Sequence, residues 1–439
     1  VTDKELPRIQ FSNPGSALVQ TTKSLASPRV VITGMGAITP VGHTVTETWQ
    51  NLLQGQSGLA EITLFDASHL PVRFAGEIKN FEPDAFISAK EAKRMARCSQ
   101  LALATALQAV EDAGLAYPFA DKLAEQSGVL LGTAMGGFDK AEDGLRDYVE
   151  RGLGRVSPFS LPAALPNLST FHVCVRLNAQ GYTNTTATAC AAGTMAIAEA
   201  VEVIKRGQCA VMIAGGVEAT ITETTLAGFC AMRALSTRND DPARACRPFE
   251  ASRDGFVVGE GCAMFVLEAL EHALARKAPI YVEVLGGAHS SDTYHIAAPD
   301  PDSRGAIRAM RWALANAGVQ TDQVNYINAH GPGTPLGDTA ETFAIKTLFG
   351  DKAYQIPISS TKSMIGHSFG AAGAIEALAC VKAIETGWIH PTINYHTPDP
   401  SCDLDYVPNQ ARPHPVRVAL SNSFGLGGQN SCLVLGKYS

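Results

Sequence analysis

Cys190 lies in Thr185-Thr186-Ala187-Thr188-Ala189-Cys190-Ala191-Ala192-Gly193-Thr194, between a strand-like run and an alanine-rich segment. A cysteine placed there opens a helix. Free backbone N–H groups and the positive end of the helix dipole at such a position lower a thiol pKa and favour the thiolate. The small residues around it leave room for a bulky substrate and a close facing backbone. The other cysteines carry no such context and read as buried and inert. Two histidines have comparable settings: His330 in Asn328-Ala329-His330-Gly331-Pro332-Gly333-Thr334-Pro335, and His367 in Ser363-Met364-Ile365-Gly366-His367. Each follows a buried strand, at the sheet edge where open α/β folds place ligands. Lone histidines are more often structural, and His43 or His414 keep that reading. Lys362 either steers protons and holds a carboxylate, or is an ordinary solvated lysine. The glycine-rich Asn422-Ser423-Phe424-Gly425-Leu426-Gly427-Gly428-Gln429-Asn430 lacks the lysine and following helix of a phosphate loop. No GxGxxG follows the first strand, and no HExxH or Cys/His cluster supports a metal. These residues describe a metal-free cysteine enzyme with two imidazoles.

Buried strands must position these groups. Apolar runs, the first ending in Gly34, predict strands over 29–34, 128–133, 210–214, 263–267, 280–285, 324–329, 356–360, 416–420 and 431–435. Helical spacing appears over 45–54, 88–114, 191–205, 303–317, 338–348 and 370–386. Alternating buried strands and helices indicate an α/β protein with mostly parallel sheets covered on both faces. A similar element order in 29–278 and 279–439 suggests two related halves. Residues 1–28 are polar, without an apolar signal core, and read as a flexible extension.

Hydrophobic residues make up 46% of the 439 and charged residues 18%, which excludes a disordered chain. Thirty-five Lys and Arg against 42 Asp and Glu leave a net charge of −7, with no global field for nucleic acid. None of the ten cysteines forms a CxxC pair, which suits a reducing, cytoplasmic compartment. No apolar run approaches a membrane span.

Taken together, Thr188-Ala189-Cys190, the His330-Gly-x-x-Thr334-Pro335 loop, Lys362 with Gly366-His367, and Asn422-Ser423-Phe424-Gly425 resemble the β-ketoacyl-[acyl carrier protein] synthases, most closely the elongating type II enzymes. The stretches Arg233-Ala234-Leu235-Ser236-Thr237-Arg238-Asn239-Asp240 and Arg253-Asp254-Gly255-Phe256-Val257 belong to the same likeness, which runs from about Arg29 to Lys437. It implies a thiolase-like five-layer αβαβα sandwich of two similar halves, with Cys190 from the first and both histidines from the second. The implied reaction is ping-pong acyl transfer to Cys190, followed by decarboxylative Claisen condensation with malonyl-[acyl carrier protein]. N–H groups of Cys190 and Phe424 form the oxyanion hole, and neutral His330 and His367 stabilise the enolate. Lys362 and Glu376 are implied to organise His367, Phe424 to gate the site, Thr334 to bind the pantetheine arm, and Met135 to line the acyl tunnel. No cofactor of the chain's own is implied, since the partner carries the phosphopantetheine. A dimer is implied, of identical chains or with a related subunit.

Acyl carrier proteins are acidic, so a local basic patch is expected. Lys90, Lys93, Arg94 and Arg97 fall on one face of a helix. The resemblance places Lys90, Lys93 and Arg94 in the carrier-docking region, with Arg155 and Arg233 nearby. The chain departs from the family pattern at Pro332-Gly333, where Thr-Ser is usual, and at Leu426 and Gln429. Pro332 offers neither hydroxyl nor N–H, so one pantetheine contact is missing. These departures keep open a specialised polyketide or polyene ketosynthase with the same chemistry. A non-catalytic chain-length subunit is disfavoured by the presence of Cys190, His330 and His367. A degradative thiolase is disfavoured by the lack of a cysteine in 425–428.

Overall fold

The apolar runs become strands buried along nearly their whole length, because helices cover both faces of the sheet they join. The structure is a computed structural model describing residues 27–439, so the extension expected over 1–28 lies, but for its last two residues, outside the described residues. In chain order the main strands are β1 (Val30–Ile38), β2 (Ser127–Gly132), β3 (Thr183–Thr186), β4 (Val211–Glu218) and β5 (Gly261–Ala269), followed by β6 (Val282–Ser291), β7 (Tyr326–Asn328), β8 (Ile358–Ser359), β9 (Val418–Gly425) and β10 (Gln429–Gly436). Across the sheet they lie in the order β8-β7-β9-β10-β6-β1-β5-β4-β2-β3.

Counted outward from the central β6–β1 junction, each half shows its first strand, then its fifth, fourth, second and third. The directions repeat too. β2 is parallel to β3 and β4, and β7 is parallel to β8 and β9. β5 and β10 run antiparallel to both their neighbours. The halves join through antiparallel β1 and β6, in register only at Val31–Glu283 and Ile32–Val282. The expectation of mostly parallel sheets is therefore corrected to a mixed sheet. A buried apolar run carries no direction, and the tight turn between β9 and β10 permits only an antiparallel pair.

Seven helices build the other layers: α1 (Arg97–Asp112), α2 (Phe138–Arg151), α3 (Leu168–Leu177), α4 (Ala192–Lys205), α5 (Arg304–Ala317), α6 (Pro335–Phe349) and α7 (Ala372–Thr386). α4 and α7 pack on each other and touch strands of both halves, so they form the middle layer. α1 and α3 cover one outer face; α5, backed by α6, covers the other. The result is the five-layer αβαβα sandwich. From Ala372 to Val381 every residue of α7 is buried, as a helix apolar on all sides requires. Close approach of the two halves depends on glycine: a Cβ on Gly193 of α4 would lie 2.8 Å from the Gly370 carbonyl oxygen.

The helical pattern over 88–114 is two helices rather than one. A short helix, Ala89–Ala92, ends before α1 begins at Arg97. The break turns Arg97 inward, where its guanidinium meets Glu260 at 2.7 and 2.8 Å. Lys90, Lys93 and Arg94 remain exposed, but Arg97 leaves their face.

Candidate active site

After β3 the chain passes through Ala189, at φ +48°, into a single tight turn (Ala189–Ala191) that leads directly into α4. Cys190 sits on this turn and is buried. Its thiol accepts a hydrogen bond from the Leu426 N–H, which lowers its pKa, as does the charge of Lys362. Burial outweighs both and pushes the thiol up to about 11. The lowering expected from the helix start is thus reversed in the resting site, whose thiol is protonated at neutral pH. The turn from Phe424 reaches the nucleophile because Gly425 has no side chain: a Cβ there would lie 3.3 Å from the Cys190 nitrogen and 3.0 Å from the Thr188 oxygen.

His330 and His367 stand edge to face, their ring centroids 5.3 Å apart, and both are buried. Burial first, then the charge of Lys362, holds both imidazoles well below the usual histidine value, so both are neutral. Lys362, 1% exposed, has three acceptors: the Glu376 carboxylate, the His330 carbonyl oxygen at 2.6 Å and His330 Nδ1 at 3.4 Å. With Nδ1 facing the lysine, the His330 proton lies on Nε2 at the other edge of the ring. The Lys362–Glu376 pair therefore organises His330, and the expectation that it organises His367 is corrected. Spacing within an irregular segment does not show which way a lysine turns. His367 is held by its backbone N–H to the Val257 oxygen at 2.7 Å, between Phe256 and Phe369. Its Nδ1 is buried without a hydrogen-bond partner among the described residues.

Cys190, His330, His367, Thr334, Phe424 and Arg233 line one cavity of about 490 Å³, walled largely by Phe229, Phe256, Phe369 and Leu426. Phe424 tilts against His330 with centroids 5.8 Å apart. Thr334 caps α6, its hydroxyl oxygen accepting from Gly337 N at 3.2 Å, which leaves its O–H free to donate. Pro332 is on the cavity wall, and the Gly333 N–H is occupied by Asp338 at 3.1 Å. Two expected contact residues lie elsewhere. Glu376 is buried beneath His330 rather than on the wall, and Met135 is half-buried off the cavity, its N–H on Glu218.

Three buried carboxylates escaped the reading of the sequence. Glu341 accepts from the His330 and Gly331 N–H groups at 2.9 and 2.8 Å, which fixes the histidine loop. Asp338 accepts from Phe249 and Gly333 N–H and faces Arg253; burial pushes it up to about 7. Glu218, also raised by burial to about 7, accepts from Ala134, Met135 and Gly370 N–H and so ties one half to the other. The only available signal was an acidic residue inside or beside an apolar run. Among the described residues no group of His, Cys, Asp and Glu could hold a metal ion, and no helix is long and apolar enough to cross a membrane.

Lys90, Lys93, Arg94, Arg155 and Arg233 are exposed, and none has an acidic partner within 4 Å among the described residues. The Arg94 guanidinium stacks over Phe159 at 4.6 Å, linking this surface to the loop that carries Arg155.

Family models described as "Beta-ketoacyl synthase, N-terminal domain" and "Beta-ketoacyl synthase, C-terminal domain" match residues 27–273 and 281–396. A "3-oxoacyl-[acyl-carrier-protein] synthase 2" of Synechocystis sp. is 50% identical, covering 94% of this chain and 99% of the relative. A structure titled "The ishigamide ketosynthase/chain length factor" superposes with a TM-score of 0.88 at 37% identity, covering 94% of this chain and 100% of that one. A type II PKS acyl-carrier protein in complex with its ketosynthase bound to the hexaketide gives 0.85 at 33% identity, with the same coverages. With a buried cysteine and two neutral imidazoles meeting at the seam of two like halves, this chain belongs to the β-ketoacyl synthase family, as a condensing acyltransferase that lengthens an acyl chain by two carbons.

Proposed function

We propose that Cys190 receives the acyl group from a carrier-bound phosphopantetheine thioester and that His330 and His367 drive the condensation with malonyl carrier. The observation that carries this reading is the convergence of Cys190 with two imidazoles held neutral in one cavity. The Cys190 sulfur attacks the incoming thioester carbonyl, its proton passes to the departing pantetheine thiol, and the acyl group stays on sulfur. N–H groups of Cys190 and Phe424 are suited to the tetrahedral oxyanion. Malonyl thioester then binds and loses carbon dioxide. The enolate oxygen accepts from the N–H groups of His330 and His367, and the enolate carbon attacks the acyl carbonyl. The Cys190 thiolate leaves and is reprotonated. A protonated imidazole would donate as well, but burying two such cations beside Lys362 is unfavourable, and neutral rings avoid that repulsion.

The chain supplies no cofactor under this reading; the pantetheine arm arrives with the carrier. Five unpaired cations, Lys90, Lys93, Arg94, Arg155 and Arg233, suit an acidic carrier despite the net charge of −7. Thr334 donates to the arm and Phe424 gates it. The protein acts in the cytoplasm as a dimer. In support of the dimer, edge strand β3 has no neighbour on one side among the described residues, and Phe171 and Val175 of α3 are exposed. A polyketide carrier is the second reading, favoured by Pro332 and Leu426 on the cavity wall. Intact-protein mass spectrometry with fatty acyl and polyketide carriers tests both. A fatty acyl adduct on wild type, absent from Cys190→Ala, supports the first reading. Loading only from polyketide carriers supports the second, and no adduct from either removes the proposal.

A further inference from the structure

A third buried histidine lies behind the site, outside the cavity. His390 is fully buried, and its ring meets Trp49 edge to face with centroids 6.3 Å apart. Its Nδ1 is 3.0 Å from the Pro391 carbonyl oxygen, which can only accept, so Nδ1 carries the proton. Burial holds the ring neutral, with its pKa lowered to about 4. Nε2 is therefore a bare acceptor. It faces Thr361 Oγ1 at 3.1 Å, Asn328 Nδ2 at 3.2 Å and Tyr326 OH at 3.3 Å, all buried.

The positions of these donors give the contact its meaning. Asn328 ends β7, two residues before His330. Thr361 immediately precedes Lys362. Asn328 and Thr361 also bond each other at 3.0 Å. One imidazole nitrogen thus gathers the ends of the segments that deliver His330 and the lysine that orients it. The chain following His390 completes the fastening: Thr392 Oγ1 accepts from Ser360 N at 3.0 Å, and Ser363 Oγ accepts from Ile393 N at 3.1 Å.

We propose that His390 is a positioning residue, whose Nε2 lone pair fixes the His330–Lys362 geometry and thereby the enolate-stabilising donor. The inference rests on the function proposed above. Without this acceptor, Asn328 and Thr361 keep only their bond to each other and the Asn328 contact with Tyr326, so the shared point that fixes the spacing of their two segments is lost. A small displacement of Lys362 releases its hold on His330 Nδ1. The charged and titratable groups around His330 are Lys362, His367, Glu341 and Glu376. Of these, the Lys362 charge is what such a displacement moves away, so His330 then protonates at a higher pH.

The test uses the full chain as wild type, His390→Leu and His390→Gln, with thermal unfolding to confirm folding. Acyl loading of Cys190 is followed by intact mass, and carbon dioxide release from malonyl carrier is followed across pH. His390→Leu, which has no acceptor, is expected to lower the kcat of release on the order of 10-fold to 100-fold. Loading should change by less than about threefold, and the acid limb of the release profile should move to higher pH. His390→Gln, which restores an acceptor near the Nε2 position, should recover most of the rate and the profile. Equal losses in loading and release, wild-type release in His390→Leu, or an unmoved acid limb would each overturn the inference. Should His390→Leu not fold, Thr361→Val, which removes one donor to Nε2, decides: lowered release with a raised acid limb supports the inference, and wild-type release or an unmoved limb overturns it. Loss of both reactions in wild type would remove the proposed function and this inference together, whereas an active wild type with indifferent variants removes only the inference.

Discussion

The two middle-layer helices begin with the same backbone device and opposite contents. α4 is entered through Ala189, at φ +48°, and the turn Ala189–Ala191; α7 is entered through Phe369, at φ +41°, and the turn Phe369–Ala371. Holding a non-glycine residue there stores roughly 1–3 kcal/mol of strain, and the molecule accepts it twice. The middle residue is Cys190 in one turn and Gly370 in the other. Cys190 points its sulfur into the cavity. Gly370 has nothing to point: a Cβ on it would lie 2.5 Å from the Thr133 backbone, and its N–H is taken by Glu218 at 3.0 Å. The repeated turn therefore serves chemistry in one half and closure in the other. Reactivity at such a turn comes from what the opposite half brings to it.

The sharpest break of this comparison is Cys190→Ala, which keeps the turn and removes the sulfur. No acyl adduct should form by intact mass, while malonyl decarboxylation persists. Removing one donor from the opposite half, by His330→Ala or His367→Ala, should lower carbon dioxide release on the order of 10²–10³-fold. Cys190 should still load, as a single-turnover assay would show. Gly370→Ala tests the closing turn. Overpacking against Thr133 should lower unfolding stability by about 1–3 kcal/mol in denaturant titration, with the nucleophile chemically untouched.

pH sharpens the role of Lys362. Both imidazoles are held below the ordinary value, so each stays neutral as pH falls through 6.5, and release should remain level there. Lys362→Met removes the like charge that helps hold them down, so the acid limb should move to higher pH. The smallest effect belongs to the cavity wall. Pro332→Thr adds one hydroxyl toward the pantetheine arm, and one hydrogen bond should lower KM for the carrier by roughly 2-fold to 10-fold.

Much of this arrangement was legible in the sequence. Most strands announced themselves as apolar runs; His330 and His367 stood out because each follows one, and Cys190 because small residues surround it at the start of an alanine-rich helix, whereas the polar strand before it, Thr183–Thr186, did not show. Their meeting in one cavity follows from strand order, which no local pattern contains. Strand direction was misjudged for a related reason: Gly261–Ala269 is buried whichever way it runs. The helix at 138–151 was overlooked because its face is mostly charged and exposed, with Gly144 its only fully buried residue. The assignment of Lys362 to His367 came with the family resemblance, and no local pattern shows which imidazole the lysine meets. The side chain instead turns toward the segment arriving from β7.

The turn pressed against Cys190 has a consequence for the order in which the protein is made. Phe424 and Leu426 leave the ribosome more than two hundred residues after Cys190. Until they arrive, no N–H from that turn reaches the sulfur, and neither histidine loop has been fastened against the first half. Until then Cys190 is one of ten free cysteines, without the contacts of the finished site. On the proposed mechanism, acyl transfer to Cys190 requires β9 and β10 to have closed the sheet, so a chain that still lacks them is expected not to take up an acyl group it cannot extend.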